Sequence, residues 1–119
     1  MLLLRVAHLL ELDIYVISVY RPPSSSSADD ASLMAFFSSF CTDKEFVLMG
    51  DLNLPSIRWA GGESWDAMVP TDRTFYDCFA ALGVTQVVRE STMYPSGNIL
   101  DLVLLSHEER LGDCVVHAQ

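Results

Sequence analysis

The sequence predicts an α/β fold, in which helices cover the layers of a β-sheet. Two observations support this prediction. Apolar segments typical of strands alternate along the chain with segments whose apolar residues repeat at helical spacing, and no internal repeat is found. The length of 119 residues suits one domain, and half of the residues are hydrophobic, so a substantial core can form.

The amino-terminal part predicts a pair of strands and a helix. Segments 2–7 and 12–20 are rich in aliphatic and β-branched residues and predict antiparallel neighbours. Two prolines and four serines make 21–27 a loop. Asp29 or Asp30 is expected to cap the following helix, whose apolar residues share one face: Leu33, Phe36, Phe37 and Phe40.

The rest of the chain predicts further alternation of strands and helices. Residues 46–49 are uniformly apolar and predict a strand covered on both faces. A long irregular loop at 57–69 follows, and such loops often contact substrate. Thr71 is expected to cap a second helix that Gly83 ends. Further strands are predicted at 84–88, 99–105 and 113–117.

Composition argues against several classes of protein. With 16 acidic and 7 basic residues, the chain lacks the charge for a broad basic face that grips nucleic acid. Phosphate chemistry would therefore need a metal ion, a few local arginines or additional surface. Acidic residues interrupt the apolar start, which argues against a signal peptide or a membrane span. Three widely spaced cysteines suggest small buried side chains of an intracellular protein: Cys41, Cys78 and Cys114.

The most informative segment is Gly50-Asp51-Leu52-Asn53, at the end of an apolar run. Strand alternation would place Asp51 and Asn53 on one side and Leu52 in the core. Gly50 would let the backbone bend or approach a ligand. The carboxylate and carboxamide could then accept a proton from, and donate a hydrogen bond to, an anionic substrate. The alternative is a turn in which both side chains satisfy local amides.

Polar residues mark two other strands. Asp101 interrupts an aliphatic run, so it needs a histidine, backbone amides or a metal ion as a partner, unless it lies on an edge strand facing water. Tyr20 and Arg21 could bind a phosphate at another strand end, or Arg21 could simply solvate that end. The histidines match no nucleophile or zinc motif and are expected at the surface or in the core: His8, His107 and His117.

Five segments, taken in order, resemble one family. They are 19–23 (VYRPP), 50–55 (GDLNLP), 57–59 (IRW), Thr92 and 98–104 (NILDLVL). Together they resemble the endonuclease/exonuclease/phosphatase family, specifically the apurinic-endonuclease-like domain of non-LTR (LINE-type) retrotransposons. From about Leu12 onward, the resemblance implies a four-layer α/β sandwich of the DNase I-like type. It also implies magnesium-dependent hydrolysis of a phosphodiester in DNA.

The resemblance further implies roles for individual residues. Asp51 would orient or deprotonate the attacking water, Asn53 would bind the scissile phosphate, and Tyr20 would stabilise charge on that phosphate. Asp101 would support a catalytic histidine. The expected substrate-binding residues are Arg21, Thr92 and Asn98.

The chain also departs from the family pattern. The family's magnesium-binding glutamate, which lies near its first strand, and its Ser-Asp-His segment with the catalytic histidine have no match in residues 1–119. We therefore expect one partial domain over 1–119, in an intracellular, nuclear protein, with weak or no nuclease activity because the principal magnesium ligand is missing. The alternatives are a non-catalytic binding or interaction module on the same fold, and a phosphatase or phosphodiesterase of the same superfamily.

Overall fold

A computed structural model describes residues 1–57, 59, 65–87 and 101–107. The described residues form one five-stranded sheet in the order β1-β2-β3-β5-β4, together with two α-helices. A single 3-10 turn at Trp65–Ala67 precedes the second helix. In chain order the elements are β1 (Leu3–Leu9), β2 (Ile14–Tyr20), α1 (Ser27–Phe40), β3 (Phe46–Asp51), α2 (Pro70–Leu82), β4 (Thr85–Gln86) and β5 (Asp101–Leu105).

The sheet is mixed, and β3 lies at its centre. β1 and β2 form the predicted antiparallel pair. β3 runs parallel to β2, because α1 returns the chain to the same end of the sheet before β3 begins. β5 is antiparallel to both β3 and β4. The α/β class is therefore confirmed.

One face of the sheet packs against the helices and forms the core. The ring centroids of Phe37 in α1 and Phe79 in α2 are 5.5 Å apart, which joins the two helices over the strands. Each fully buried side chain of this size contributes roughly 1.5–3 kcal/mol. The buried core includes Ile17, Val19, Leu33, Phe37, Leu48, Phe75, Phe79, Leu102 and Leu104.

The opposite face is more open in the described part of the chain. β1 is exposed along its whole length, and Met49 in β3 is 39% exposed. In the described part of the chain both helices pack on one face of the sheet, so the prediction that β3 is covered on both faces is not confirmed there. The described residues do not confirm a four-layer sandwich, which stays a prediction.

The helix caps differ from those expected. Ser26, rather than either aspartate, caps α1, and its hydroxyl oxygen accepts a hydrogen bond from the backbone N–H of Asp29 at 3.1 Å. Pro70 begins α2, so Thr71 lies within the helix. Proline suits this first position because it has no N–H to leave unpaired. Gly83 ends α2 as predicted, with a φ of 71°.

The fourth strand is shorter than predicted, and the fifth agrees with its prediction over the described residues. β4 covers two residues of the expected 84–88, and the description of β5 begins at Asp101. The strand predicted at 113–117 lies outside the described residues. Among the helices that are described, none is long and apolar enough to cross a membrane.

Candidate functional site

Three strands bring polar residues to one end of the sheet. β2 ends at Tyr20 and β3 at Asp51, and these two residues are register partners in parallel strands. On the other side of β3, Asp101 begins β5 and is the antiparallel partner of Asp51. Tyr20, Asp51 and Asp101 therefore hold adjacent backbone positions in a row across the sheet. Ligands of α/β sheets commonly bind at the carboxyl ends of parallel strands, where this row lies.

A turn follows β3 at once, and we call it the Asp51–Asn53 turn. The strand stops at Asp51, and Asn53 has a φ of 50°, in the left-handed region. The Asp51 Oδ1 accepts a hydrogen bond from the Asn53 backbone N–H at 3.0 Å. Leu52 is buried, as expected. Simple strand alternation therefore does not extend to Asn53, because an Asx turn replaces it.

The side chain of Arg21 is buried in internal contacts, with 6% of the residue exposed. Its Nε and Nη2 donate to the two carboxylate oxygens of Asp30 at 2.8 and 3.0 Å. Its Nη1 donates to the carbonyl oxygens of Leu52 at 3.0 Å and Asn53 at 3.2 Å. The guanidinium carbon also lies 5.1 Å from the centroid of the Phe75 ring. The idea that Arg21 solvates a strand end is therefore wrong, and this geometry does not support its expected contact with substrate.

The main chain of Arg21 contacts the same turn. Its N–H donates to the carbonyl oxygen of Asp51 at 2.8 Å. Its carbonyl oxygen accepts a hydrogen bond from Asn53 Nδ2 at 2.6 Å. One of the two amide hydrogens of Asn53 is therefore used within the protein. Phosphate binding by Asn53 stays a prediction that would use its second amide hydrogen.

Asp30 is a buried acid that the sequence suggested only as a cap. The hydrogen bond from Arg21 holds the pKa of Asp30 below its ordinary value, against the opposing effect of burial, and a hydrogen bond from Ser25 acts in the same direction as Arg21. Ser25 Oγ donates to Asp30 Oδ1 at 2.8 Å. The first turn of α1 also favours a carboxylate through the helix dipole. An ionised Asp30 can therefore fix the guanidinium of Arg21.

Gly50 meets a neighbouring strand rather than a ligand. Its φ is 143°, and a Cβ at this position would overlap the carbonyl oxygen of Val19. The sequence suggested that Gly50 lets the backbone bend or approach a ligand, whereas the structure shows a close approach to the backbone of β2. The approach brings β3 against β2 one residue before Asp51.

Tyr20 is exposed, at 41%. It lines a shallow concavity of about 390 Å³ on the open face of the sheet, together with Arg5, Ser18 and Met49. The sequence reasoning missed Arg5, because a single arginine in an apolar strand gives no signal of a site. The concavity places a guanidinium and a phenol beside the row of strand ends.

Other candidate residues lie apart or outside the described residues. Thr92 and Asn98 lie outside them, as does the side chain of Asp101, so their expected roles stay predictions. A hydrogen bond of 2.7 Å joins Nε2 of His8 to the accepting Oδ1 of Asp13 at the β1–β2 turn. His8 and His107 are both exposed, as expected, while His117 is not described.

The described residues do not complete a metal site. Within them, no group of three or more histidine, cysteine, aspartate and glutamate side chains could hold a metal ion. Asp51 and Asp101 supply two acidic positions on neighbouring strands. We therefore assign no step of a reaction to a metal ion bound by these residues.

The fold and the row of strand ends define the class of protein: an α/β domain with a candidate anion-binding site where β2 and β3 end. A family comparison then gives the identification. Residues 14–119 match the model of the endonuclease-reverse transcriptase family, and the chain belongs to that family. The match confirms the resemblance to retrotransposon-type endonucleases, a group that is generally metal-dependent. A search of curated proteins found no match.

Proposed function

We propose that this chain contributes Asp51 and the residues beside it at the strand ends to an endonuclease centre that hydrolyses phosphodiester bonds in DNA. The family match supports the nuclease type. The observation that carries the proposal is the adjacent placement of Tyr20, Asp51 and Asp101 at one end of three neighbouring strands. Residues that are 31 and 50 positions from Asp51 thereby come to the same edge of the sheet.

Asp51 has the chemistry to act on the attacking water in this proposal. Its carboxylate orients the water or takes its proton while the water oxygen forms a bond to phosphorus and the bond to the leaving oxygen breaks. The hydrogen bond from the Asn53 N–H to Oδ1 fixes the rotamer of the carboxylate. The attacking water would therefore contact the Asp51 carboxylate in a position that is already fixed before the reaction.

Tyr20 stabilises the phosphate in the same proposal. The hydroxyl of this exposed residue donates to a non-bridging oxygen on which charge grows in the transition state. A magnesium ion would supply positive charge near the phosphate and the leaving oxygen, and the described residues offer only the acidic positions of Asp51 and Asp101 to hold it. The net charge of -9 adds to the need for a cation, since the chain repels DNA at long range.

Nicking of supercoiled plasmid DNA in magnesium tests the proposal. The Asp51→Asn variant keeps an oxygen for the Asn53 N–H but loses the basic carboxylate. The weak nicking expected of the unmodified chain should fall about 100-fold or more in this variant. Asp43→Ala is the matched control, because Asp43 is an exposed acid that contacts Lys44 away from the strand ends. Equal rates for the unmodified chain and Asp51→Asn would overturn the proposal.

A non-catalytic binding or interaction module on the same fold is the second candidate. The inward guanidinium of Arg21 and the internal hydrogen bond of Asn53 favour it over the catalytic role, because these donors are not directed at a scissile phosphate. Fluorescence anisotropy with a labelled DNA duplex separates the two candidates. Binding that persists in Asp51→Asn, together with no nicking by the unmodified chain, would favour the binding module. Nicking that depends on Asp51 would exclude it.

A further inference from the structure

Arg21 touches every residue of the Asp51–Asn53 turn. Its N–H bonds the Asp51 carbonyl, its guanidinium bonds the Leu52 and Asn53 carbonyls, and its own carbonyl accepts from the Asn53 side chain. The contacts come from both main chain and side chain. The turn is therefore held by one residue at the end of the neighbouring strand.

The guanidinium of Arg21 can hold the turn because other side chains fix its own position. Its fork meets both oxygens of Asp30, a geometry that arginine forms and lysine does not. Asp30 is in turn fixed by Ser25 and by its place in the first turn of α1. The ring of Phe75 lies beside the guanidinium carbon. Asp30 and Phe75 therefore fix the position of the Arg21 guanidinium.

The turn needs such support because Asn53 adopts a left-handed backbone conformation. That conformation is unfavourable for a residue with a Cβ, although asparagine tolerates it better than most. The same Nη1 group of Arg21 bonds the two successive carbonyls of Leu52 and Asn53. Both carbonyls are therefore directed to one side, which fixes the backbone path out of β3.

We propose that Arg21, anchored by Asp30, is a positioning residue that holds Asp51 and Asn53 in the geometry of the proposed nuclease centre. Arg21 acts through the turn and does not touch the phosphate. The catalytic consequence rests on the proposed function, whereas the hold on the turn is a property of the folded chain. Lysine at this position keeps the charge but loses the fork.

The test compares Arg21→Lys and Asp30→Asn with a matched control, Asp72→Asn. Asp72 is also a buried acid in the first turn of a helix, at 3% exposure, but its partner is Ser56. Hydrogen exchange by NMR follows the backbone amide of Asn53, with the amide of Leu48 in β3 reporting general opening. Plasmid nicking gives kcat and KM for the same variants.

We expect exchange at Asn53 to accelerate about tenfold or more relative to Leu48 in Arg21→Lys and Asp30→Asn. The ratio should stay unchanged in Asp72→Asn. In nicking, kcat should fall about tenfold or more with little change in KM. Should Arg21→Lys fail to fold, Ser25→Ala offers a milder change, since it removes one bond to Asp30 and should accelerate Asn53 exchange to a smaller extent.

Other outcomes overturn the inference. Exchange at Asn53 that follows Leu48 in every variant would show that Arg21 contributes only general stability. A rise in KM with unchanged kcat would instead assign Arg21 to direct phosphate contact. If the unmodified chain does not nick DNA, the proposed function fails, and the exchange data alone decide whether Arg21 holds the turn.

Discussion

The carbonyl oxygen of Val19 occupies the space that a side chain on Gly50 would need. The two residues are register partners in the parallel strands β2 and β3. Glycine therefore allows β3 to approach β2 where no other residue could, at the position immediately before Asp51. The placement of the candidate catalytic carboxylate depends on this contact.

Replacing Gly50 with alanine should destabilise the fold strongly. The new Cβ would overlap the Val19 carbonyl oxygen and lie 2.9 Å from the carbonyl carbon, and the φ of 143° would itself be strained. We expect a loss on the order of 3 kcal/mol or more in the free energy of unfolding, measured by urea denaturation.

Gly83→Ala is the control for that substitution. Gly83 also has a positive φ, of 71°, but a Cβ there would meet nothing within 4 Å. Gly83→Ala should lower the free energy of unfolding by about 1 kcal/mol, from backbone strain alone. Similar losses for the two variants would show that the contact with Val19 is unimportant.

Asn53 should be sensitive both to its backbone conformation and to its hydrogen bond. Asn53→Gly loses the bond to the Arg21 carbonyl but suits the φ of 50°, so about 1 kcal/mol of stability should be lost. Asn53→Ala adds the cost of a Cβ in the left-handed region, about 1 kcal/mol more. Urea denaturation of both variants measures this difference. An alanine variant as stable as the glycine variant would contradict the left-handed conformation.

Local sequence signals predicted those parts of the fold that local forces determine. The β1–β2 pair follows from two neighbouring strand segments, and the end of α2 from Gly83. The pairing of Asp51 with Asp101 is different, because it joins residues 50 positions apart and depends on how the sheet assembles. The resemblance to a family, rather than any pattern of spacing, suggested that these residues belong together.

The environment of Arg21 could not be predicted from its neighbours. An arginine before two prolines at a strand end is typical of an exposed position, and its partner Asp30 lies across a serine loop in the next helix. Only the packing of α1 on the sheet brings the two together. Asn53 carried a weak signal, because asparagine is among the residues that tolerate a left-handed backbone.

Asp30 should make stability depend on acidic pH. The hydrogen bond from Arg21 lowers its pKa in the folded protein, so its contribution is present above the unfolded pKa of 3.8 and is lost as pH falls through the lower folded value. Asp30→Asn removes this dependence. We expect the gap in free energy of unfolding between the unmodified chain and Asp30→Asn to narrow below about pH 4. Urea titrations from pH 7 to pH 3 measure it, and a gap constant across that range would contradict the ion pair.

Cys41 should make stability depend on alkaline pH. The thiol is buried, at 2% exposure, and burial raises its pKa from 9.0 to about 11, with the nearby Cys78 thiol acting in the same direction. The pKa of the Cys41 thiol is higher in the folded protein than in the unfolded one, so its contribution to the free energy of unfolding is fully present below pH 9. That contribution is lost as pH rises towards 11.

Cys41→Ala removes this titrating group while leaving the tyrosines and the single lysine, Lys44, that also titrate. Between pH 8 and pH 10.5, the unmodified chain should therefore lose about 1 to 2 kcal/mol more than the variant, because each unit of pKa shift is worth about 1.4 kcal/mol. Urea denaturation at the two pH values measures the difference. In the native protein at pH 8, the thiol of Cys41 should also react with a disulfide reagent only after unfolding, since the reactive thiolate is scarce and shielded. Parallel losses for the two chains, with rapid labelling of native Cys41, would show that this thiol is not buried as described.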